Sequence, residues 1–204
     1  NLLQKIYCCD EGNYIFAKKI KMTYQEMFQN LWVDYLDQNS DIKKVNDLFI
    51  NDGENVVNDH IAFRTIDNDK ISIDVLAQAF LNAGYKQAGT YTFVEKKLIA
   101  KHFEHQIDKD APKVFISAIQ TKYFSESVQQ IFHDLIEDIP CDIGSDVSFL
   151  WSGRPWSEIK YEVYLKLKEE SEYAAWLYVN GFRANHFTVS INSLKKHTDI
   201  YELN

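Results

Sequence analysis

The spacing of apolar residues is helical over the stretch that follows Met22. From Tyr24 onward they recur every three or four positions, which predicts an amphipathic helix. Thr23 precedes Glu26 by three residues, and this capping-box pattern marks the helix start because each side chain can satisfy a free backbone N–H. A second helix, ending at the turn sequence N-D-G, is predicted from the next apolar series, which consists of Ile42, Val45, Leu48 and Phe49.

From about residue 56 to residue 119 the pattern changes to a strand, a helix and three further strands. The apolar run V-V-N-D-H-I-A-F-R-T-I predicts a buried strand that ends at the polar turn D-N-D-K. Ser72 can cap the following helix, and Gly84 ends it. Three β-rich runs complete this first module: T-Y-T-F-V, K-L-I-A-K-H-F-E-H and K-V-F-I-S-A-I. The predicted order is therefore β-α-β-β-β.

Helical patterns return after the first module. Ser125 begins one helix, and one or two more end near Gly181, so a helical insert is predicted over about residues 125–181. Residues 1–21 have no clear period and are interpreted as an N-terminal extension. Residues 22–204 are interpreted as a single domain.

About residues 183–204 repeat the beginning of the first module. The run R-A-N-H-F-T-V-S-I-N predicts a strand with a histidine near its head. Thr198 opens a helical pattern twelve residues after His186, as Ser72 does twelve residues after His60. The repeat predicts an α+β fold of paired β-α-β-β-β modules with additional helices, in which the second module is truncated.

The composition is that of a globular protein without a nucleic-acid or membrane partner. The chain has 204 residues, 46% of them apolar, so a sizeable core can form. A net charge of −8 without a basic block argues against binding to a phosphate backbone. The sequence has no long apolar run and no signal-peptide pattern, and its three cysteines lack metal-type spacing. A cytoplasmic protein is expected, whereas its oligomeric state is not indicated.

Two predicted strands carry a histidine on their more polar face. Side chains alternate across a strand, so His60 shares a face with Ala62 and Arg64, while the neighbouring apolar residues supply the core. His186 shares a face with Thr188 in the same way. If the modules pack about a local twofold axis, the two imidazoles converge, and two histidines with a carboxylate are a common metal-binding set.

Arg64 lies about 13 Å along the strand from His60, at about 3.3 Å per residue. At this separation Arg64 could bind the remote carboxylate of a substrate, because a guanidinium pairs bidentately with a carboxylate. The residues alone leave simpler interpretations open. A strand histidine is often only hydrogen-bonded, and a lone arginine often forms a surface ion pair. His102 and Glu104 also share a strand face and form an alternative metal-binding pair.

Several ordered motifs resemble those of the 2-oxoadipate dioxygenase/decarboxylase family, also called 2-hydroxyglutarate synthase. The motifs are D-H-I-A-F-R-T, K-V-F-I-S, G-R-P-W, E-E-S-E-Y-A-A-W and G-F-R-A-N-H-F-T-V-S-I-N, and the resemblance runs from about Met22 to the last residue. It implies the vicinal-oxygen-chelate architecture. It also implies Fe(II) bound by His60, by His186 and by a glutamate on the last strand of the second module, which has no counterpart in these 204 residues.

The resemblance further implies a reaction. The substrate would be 2-oxoadipate or a similar 2-oxo dicarboxylate, with Arg64 binding its remote carboxylate and dioxygen as the second substrate. The C1 carboxylate would leave as carbon dioxide, and the shortened chain would become 2-hydroxyglutarate, as in lysine catabolism. Two alternatives are kept: another metal-dependent lyase or hydrolase on the same scaffold, and an inactive relative that binds a metal or a dicarboxylate.

Overall fold

A computed structural model describes residues 22–156, 158–196 and 199 of the protein. The α-helices are α1 (Tyr24–Gln38), α2 (Ser40–Asn51), α3 (Ile73–Asn82), α4 (Glu126–Asp138), α5 (Tyr161–Glu170) and α6 (Glu172–Asn180). The strands are β1 (Asn58–Ile66), β2 (Tyr85–Phe93), β3 (Leu98–His105), β4 (Lys113–Ile119) and β5 (Ala184–Val189). The predicted extension at residues 1–21 and the predicted helix start at Thr198 lie outside the described residues.

The five strands form one sheet in the order β2-β3-β4-β1-β5. Strand β1 is parallel to β4, whereas the β2–β3, β3–β4 and β1–β5 pairs are antiparallel. The segment from β1 to β4 is the complete β-α-β-β-β module that the sequence predicts. Strand β5, the predicted first strand of the second module, pairs with β1, so the α+β fold prediction is confirmed.

The alternation of β1 divides the sheet into an apolar face and a more polar face. Ile61 and Phe63 are fully buried in the hydrophobic cluster that α3 helps to form, and α3 lies against β2, β3 and β4. The start of α3 is fixed by Ser72, whose Oγ accepts a hydrogen bond from the Val75 N–H at 3.3 Å. His60 and Arg64 consequently point away from this core.

Two elements differ from the simple apolar patterns. Strand β2 begins at Tyr85, before the β-rich run that starts at Thr90. The apolar pattern does not mark these first residues, because β2 is an edge strand whose side chains are mostly exposed and need not alternate. Helix α2 forms as predicted, but none of its residues is buried in the described part of the chain, and Leu48 is 68% exposed. Its apolar series therefore does not contribute to the core of the described residues.

The approach to β5 depends on a glycine. Gly181 ends α6 with φ +71°, and a Cβ atom there would lie 2.4 Å from the backbone of Arg154. Only glycine combines this left-handed conformation with so close a contact. The loop around Arg154 and the start of β5 are thereby held together.

Glu54 holds the segment that follows β5. Its carboxylate is 6% exposed and accepts the backbone N–H groups of Lys195 and Lys196 at 2.7 and 2.6 Å. Lys196 also forms an ion pair with Asp52 at 2.9 Å. These contacts connect the end of α2 with the chain beyond β5.

We expect Glu54→Ala to lower the free energy of unfolding by about 3 kcal/mol, because two charge-assisted hydrogen bonds are lost. Glu54→Gln should lose less, since it keeps one acceptor oxygen. Urea denaturation measures both, with Glu137→Ala on the exposed surface of α4 as the matched control. A loss no greater than that of the control would contradict this role for Glu54.

Candidate metal and carboxylate site

The two predicted histidines meet on the polar face of the sheet. In the antiparallel pairing of β1 with β5, His60 lies opposite Thr188 and Ala62 lies opposite His186. Paired residues point to the same side, so both imidazoles project from one face. Their ring centroids are 5.6 Å apart with an interplanar angle of 85°. The imidazoles converge, as the repeated spacing predicts.

His60 is held by hydrogen bonds at both ring nitrogens. Its Nδ1 lies 2.8 Å from Asp59 Oδ2, and its Nε2 lies 2.9 Å from Thr188 Oγ1. A carboxylate can only accept, so Asp59 favours the proton on Nδ1 and leaves the lone pair on Nε2. The Phe115 ring, 5.3 Å away, supports the imidazole edge-on. Asp59 and Thr188 also line an open cleft of about 680 Å³.

The surroundings of His186 favour its neutral form. Its pKa is lowered from the usual value near 6.5, first by the partial burial of its ring and then by the electrostatic influence of the neighbouring His60 and Arg64. Neutral imidazole is the form that binds metals.

The amide of Asn185 can orient the His186 ring. Its Nδ2 lies 2.9 Å from His186 Nδ1, while its Oδ1 is buried without a hydrogen-bond partner among the described residues. With the amide turned over, the Nδ1–H of His186 would donate to Oδ1, and Nε2 would be free for a metal. The unpaired Asn185 oxygen, the favoured neutral form of His186 and the neighbouring His60 imidazole fit two ligand positions of a metal site.

Arg64 is a half-buried cation without a carboxylate partner in the described ranges. Its Cζ atom lies 4.8 Å from the ring centroids of both Tyr173 and Trp176 on α6. Burial lowers the pKa of Arg64, but a guanidinium remains charged at any physiological pH. A half-buried cation of this kind is a natural partner for an anionic ligand.

The alternative metal pair lies elsewhere on the sheet. His102 Nε2 is 3.6 Å from Glu104 Oε1, and its Nδ1 is 3.0 Å from the Tyr91 hydroxyl. Strand β4 separates β3 from β1, so Glu104 is two strand spacings, about 10 Å, from His60. No group of three or more His, Cys, Asp or Glu side chains suited to a metal occurs among the residues that the structure describes. Glu104 therefore forms no metal-binding group with His60 and His186 in the described part of the chain.

Sequence reasoning missed four residues of the site. Thr188 shares a strand face with His186, so a strand-face argument could have found it. Regular alternation would place Asp59, directly before His60, on the opposite face, but the pairing of β1 with β5 is irregular between Asn58 and His60. The pair Tyr173 and Trp176 was interpreted chiefly as packing. Their separation of three residues places them on one face of a helix, but no sequence signal connects that face to β1.

Comparison with known proteins identifies one family. Residues 23–140, more than half of the chain, match the model of the 2-oxoadipate dioxygenase/decarboxylase family. The chloroplastic 2-oxoadipate dioxygenase/decarboxylase of Arabidopsis thaliana is 33% identical over 179 residues, which are 80% of this chain and 47% of that protein. The chain spans about half the length of the curated relatives it matches.

Two crystal structures share the fold closely. A protein of Shewanella frigidimarina NCIMB 400, described as a candidate hydrolase, is 43% identical with a TM-score of 0.83, covering 88% of this chain and 70% of its own. The Oryza sativa hydroxyglutarate synthase in complex with 2-oxoadipate is 29% identical with a TM-score of 0.82, and the match covers 89% of this chain and 62% of that one.

No helix in the described ranges is long and apolar enough to cross a membrane. The cytoplasmic location stays a prediction.

The lowered pKa of His186 gives the metal-free protein a pH dependence. The unfolded chain takes up the His186 proton near pH 6.5, before the folded protein does, so the free energy of unfolding should fall as the pH drops below about 6.5. Above that value the contribution of His186 is constant. Urea denaturation between pH 5 and pH 8 measures the slope, and imidazole NMR gives the folded-state pKa.

The matched control is His186→Gln, which should remove this part of the slope. A folded-state pKa of His186 at or above the usual value would contradict the expectation.

Proposed function

Since the chain belongs to the 2-oxoadipate dioxygenase/decarboxylase family, we propose that His60 and His186 bind Fe(II) and that Arg64 binds a 2-oxo dicarboxylate of the 2-oxoadipate type. The proposed overall reaction converts 2-oxoadipate and dioxygen into 2-hydroxyglutarate and carbon dioxide. One dioxygen supplies both oxygen atoms that the products gain, so no further reductant is required. Bound Fe(II) would supply the redox chemistry and the open positions for oxygen and the 2-oxo acid.

The strongest support is the position of Arg64. It projects from the same face of β1 as His60, four residues further along, and it has no carboxylate partner among the described residues. A dicarboxylate with one end at the histidine pair would bring its other end to the guanidinium. The family match and the complex of the rice relative with 2-oxoadipate support a dicarboxylate as the ligand.

The histidine pair has the properties that ligands require. Asp59 favours the proton on Nδ1 of His60, so the Nε2 lone pair accepts the Thr188 hydroxyl in the metal-free site and can bind a metal once that hydroxyl turns away. Partial burial and the neighbouring His60 and Arg64 lower the pKa of His186, which favours its neutral form. The glutamate that the family resemblance implies has no counterpart at this site among the described residues, so the proposal assigns two ligands to them.

A metal-dependent hydrolase or lyase is the second candidate. The Shewanella frigidimarina protein, which is 43% identical, is described as a candidate hydrolase. Two histidines suit several divalent metals, and a hydrolase or lyase reaction would need the metal but would consume no dioxygen. Oxygen uptake separates this candidate from the oxygenase.

The full-length gene product, loaded with Fe(II) without air and then given oxygen and 2-oxoadipate, should release carbon dioxide and form 2-hydroxyglutarate. One oxygen molecule should be consumed for each carbon dioxide. An oxygen electrode, trapping of carbon dioxide and mass spectrometry of the product measure the three quantities.

His60→Ala and His186→Ala are the controls, and each should lose bound iron and product together. Turnover without oxygen uptake would favour the lyase or hydrolase. Absence of carbon dioxide from the iron-loaded protein would overturn the oxygenase proposal.

Arg64→Ala should raise the 2-oxoadipate concentration needed for half-maximal rate by roughly one to two orders of magnitude, because a charge-assisted carboxylate contact is lost. Bound iron should stay within the range of the unmodified protein. Steady-state kinetics and metal analysis measure the two effects. Arg154→Ala is the matched control, since the exposed Arg154 donates to the Val179 carbonyl at 3.2 Å and forms no other hydrogen bond among the described residues. An equal effect of both substitutions would contradict the role of Arg64.

A further inference from the structure

The guanidinium of Arg64 is in contact with two aromatic rings. Its Cζ atom lies 4.8 Å from each centroid, within the range of a cation–π interaction. Tyr173 and Trp176 are three residues apart on α6 and therefore share one helix face. One helix thus supplies both rings against which the arginine rests.

Tyr173 also attaches α6 to the ends of two strands. Its hydroxyl donates to the Ser117 carbonyl at 2.6 Å and accepts the Thr65 N–H at 3.1 Å. The Ser117 hydroxyl lies 3.1 Å away as well. Thr65 follows Arg64 on β1, and Ser117 is the partner of Arg64 on β4. The ring that touches the guanidinium is therefore anchored to the backbone on both sides of Arg64.

Helix α6 is itself packed against the hydrophobic core. Its residues Ala174, Ala175, Leu177 and Tyr178 are buried in the hydrophobic cluster. The Trp156 indole donates to the Tyr178 carbonyl at 2.8 Å. A buried helix with an additional hydrogen bond cannot shift easily relative to the sheet, so the rings have a fixed position.

The two aromatic rings stabilise the positive charge of Arg64 without neutralising it. Aromatic faces attract a cation but leave its N–H donors available, whereas a carboxylate would occupy them. In the described part of the chain, no carboxylate or carbonyl forms a hydrogen bond with this guanidinium. The site therefore holds a positioned donor group for an incoming anion.

We propose that Tyr173 and Trp176 act as positioning residues that fix Arg64 and thereby select the length of the 2-oxo dicarboxylate. The inference rests on the proposed function, because Arg64 must bind the remote carboxylate. A fixed guanidinium at a set distance from the histidine pair favours a dicarboxylate of one length. Once a ring is removed, Arg64 can adopt other rotamers and reach a ligand that is shorter by one methylene.

The test is calorimetric titration of the Fe(II)-loaded, full-length gene product without oxygen, so that no turnover occurs. The ligands are 2-oxoadipate, 2-oxoglutarate with one methylene less, and 2-oxohexanoate, which lacks the remote carboxylate. Trp176→Leu should weaken 2-oxoadipate binding by about tenfold. It should reduce the preference for 2-oxoadipate over 2-oxoglutarate by a similar factor, and it should change 2-oxohexanoate binding less than about twofold.

Two further variants separate positioning from folding. Trp176→Phe keeps an aromatic ring and should restore most of the preference. Trp32→Leu is the matched control, since Trp32 is partly buried against Phe187 and does not contact Arg64 in the structure. It should leave all three affinities unchanged. Equal weakening of all three ligands by Trp176→Leu would indicate general unfolding and would overturn the proposal.

The two proposals fail in different ways. If the unmodified protein binds 2-oxoadipate and 2-oxohexanoate equally, Arg64 does not bind the remote carboxylate, and both proposals are wrong. If the unmodified protein prefers 2-oxoadipate and Trp176→Leu keeps that preference, only the positioning role is wrong.

Discussion

The candidate site depends on the antiparallel pairing of β1 with β5. The register places Thr188 opposite His60 and His186 opposite Ala62, so residues 126 positions apart in sequence, His60 and His186, come to a centroid distance of 5.6 Å. Strand side chains alternate with a period of two, so a slip of one residue would turn His186 toward the opposite face of the sheet. The pairing also gives His60 its Thr188 partner. The histidine pair that we propose to bind a metal, and the hydrogen bond of His60 to Thr188, thus follow from a single strand alignment.

The same alternation explains why a buried strand can carry two charged or chargeable residues. Ile61 and Phe63 provide the apolar contacts that stabilise the sheet, while Arg64 on the other face retains its charge. Half-burial of a cation is unfavourable unless other groups compensate for lost hydration. Aromatic rings give part of this compensation and leave the hydrogen-bond donors unused. This arrangement leaves Arg64 able to take the role in ligand binding that we propose for it.

Local sequence patterns predicted most helices and strands because the capping and turn residues act over a few positions. The Thr23 and Glu26 capping box, the Ser72 cap and the glycine at position 181 all have the predicted role. Edge strand β2 was predicted too short, since its exposed side chains carry no alternating signal. The apolar series of α2 correctly predicted a helix. It did not indicate burial, because burial depends on which other segment covers that face.

The sequence alone determined the module order, the faces of β1 and β5, and the candidates His60, His186 and Arg64, because strand alternation and repeated spacing are local properties. Only the tertiary structure decided which groups surround them. It brought Asp59 and Thr188 to the two nitrogens of His60, and it separated Glu104 from the histidine pair by an intervening strand. It also brought the aromatic face of α6 against Arg64, more than a hundred residues away along the chain. Such contacts depend on how whole elements pack, and no spacing within one element encodes them.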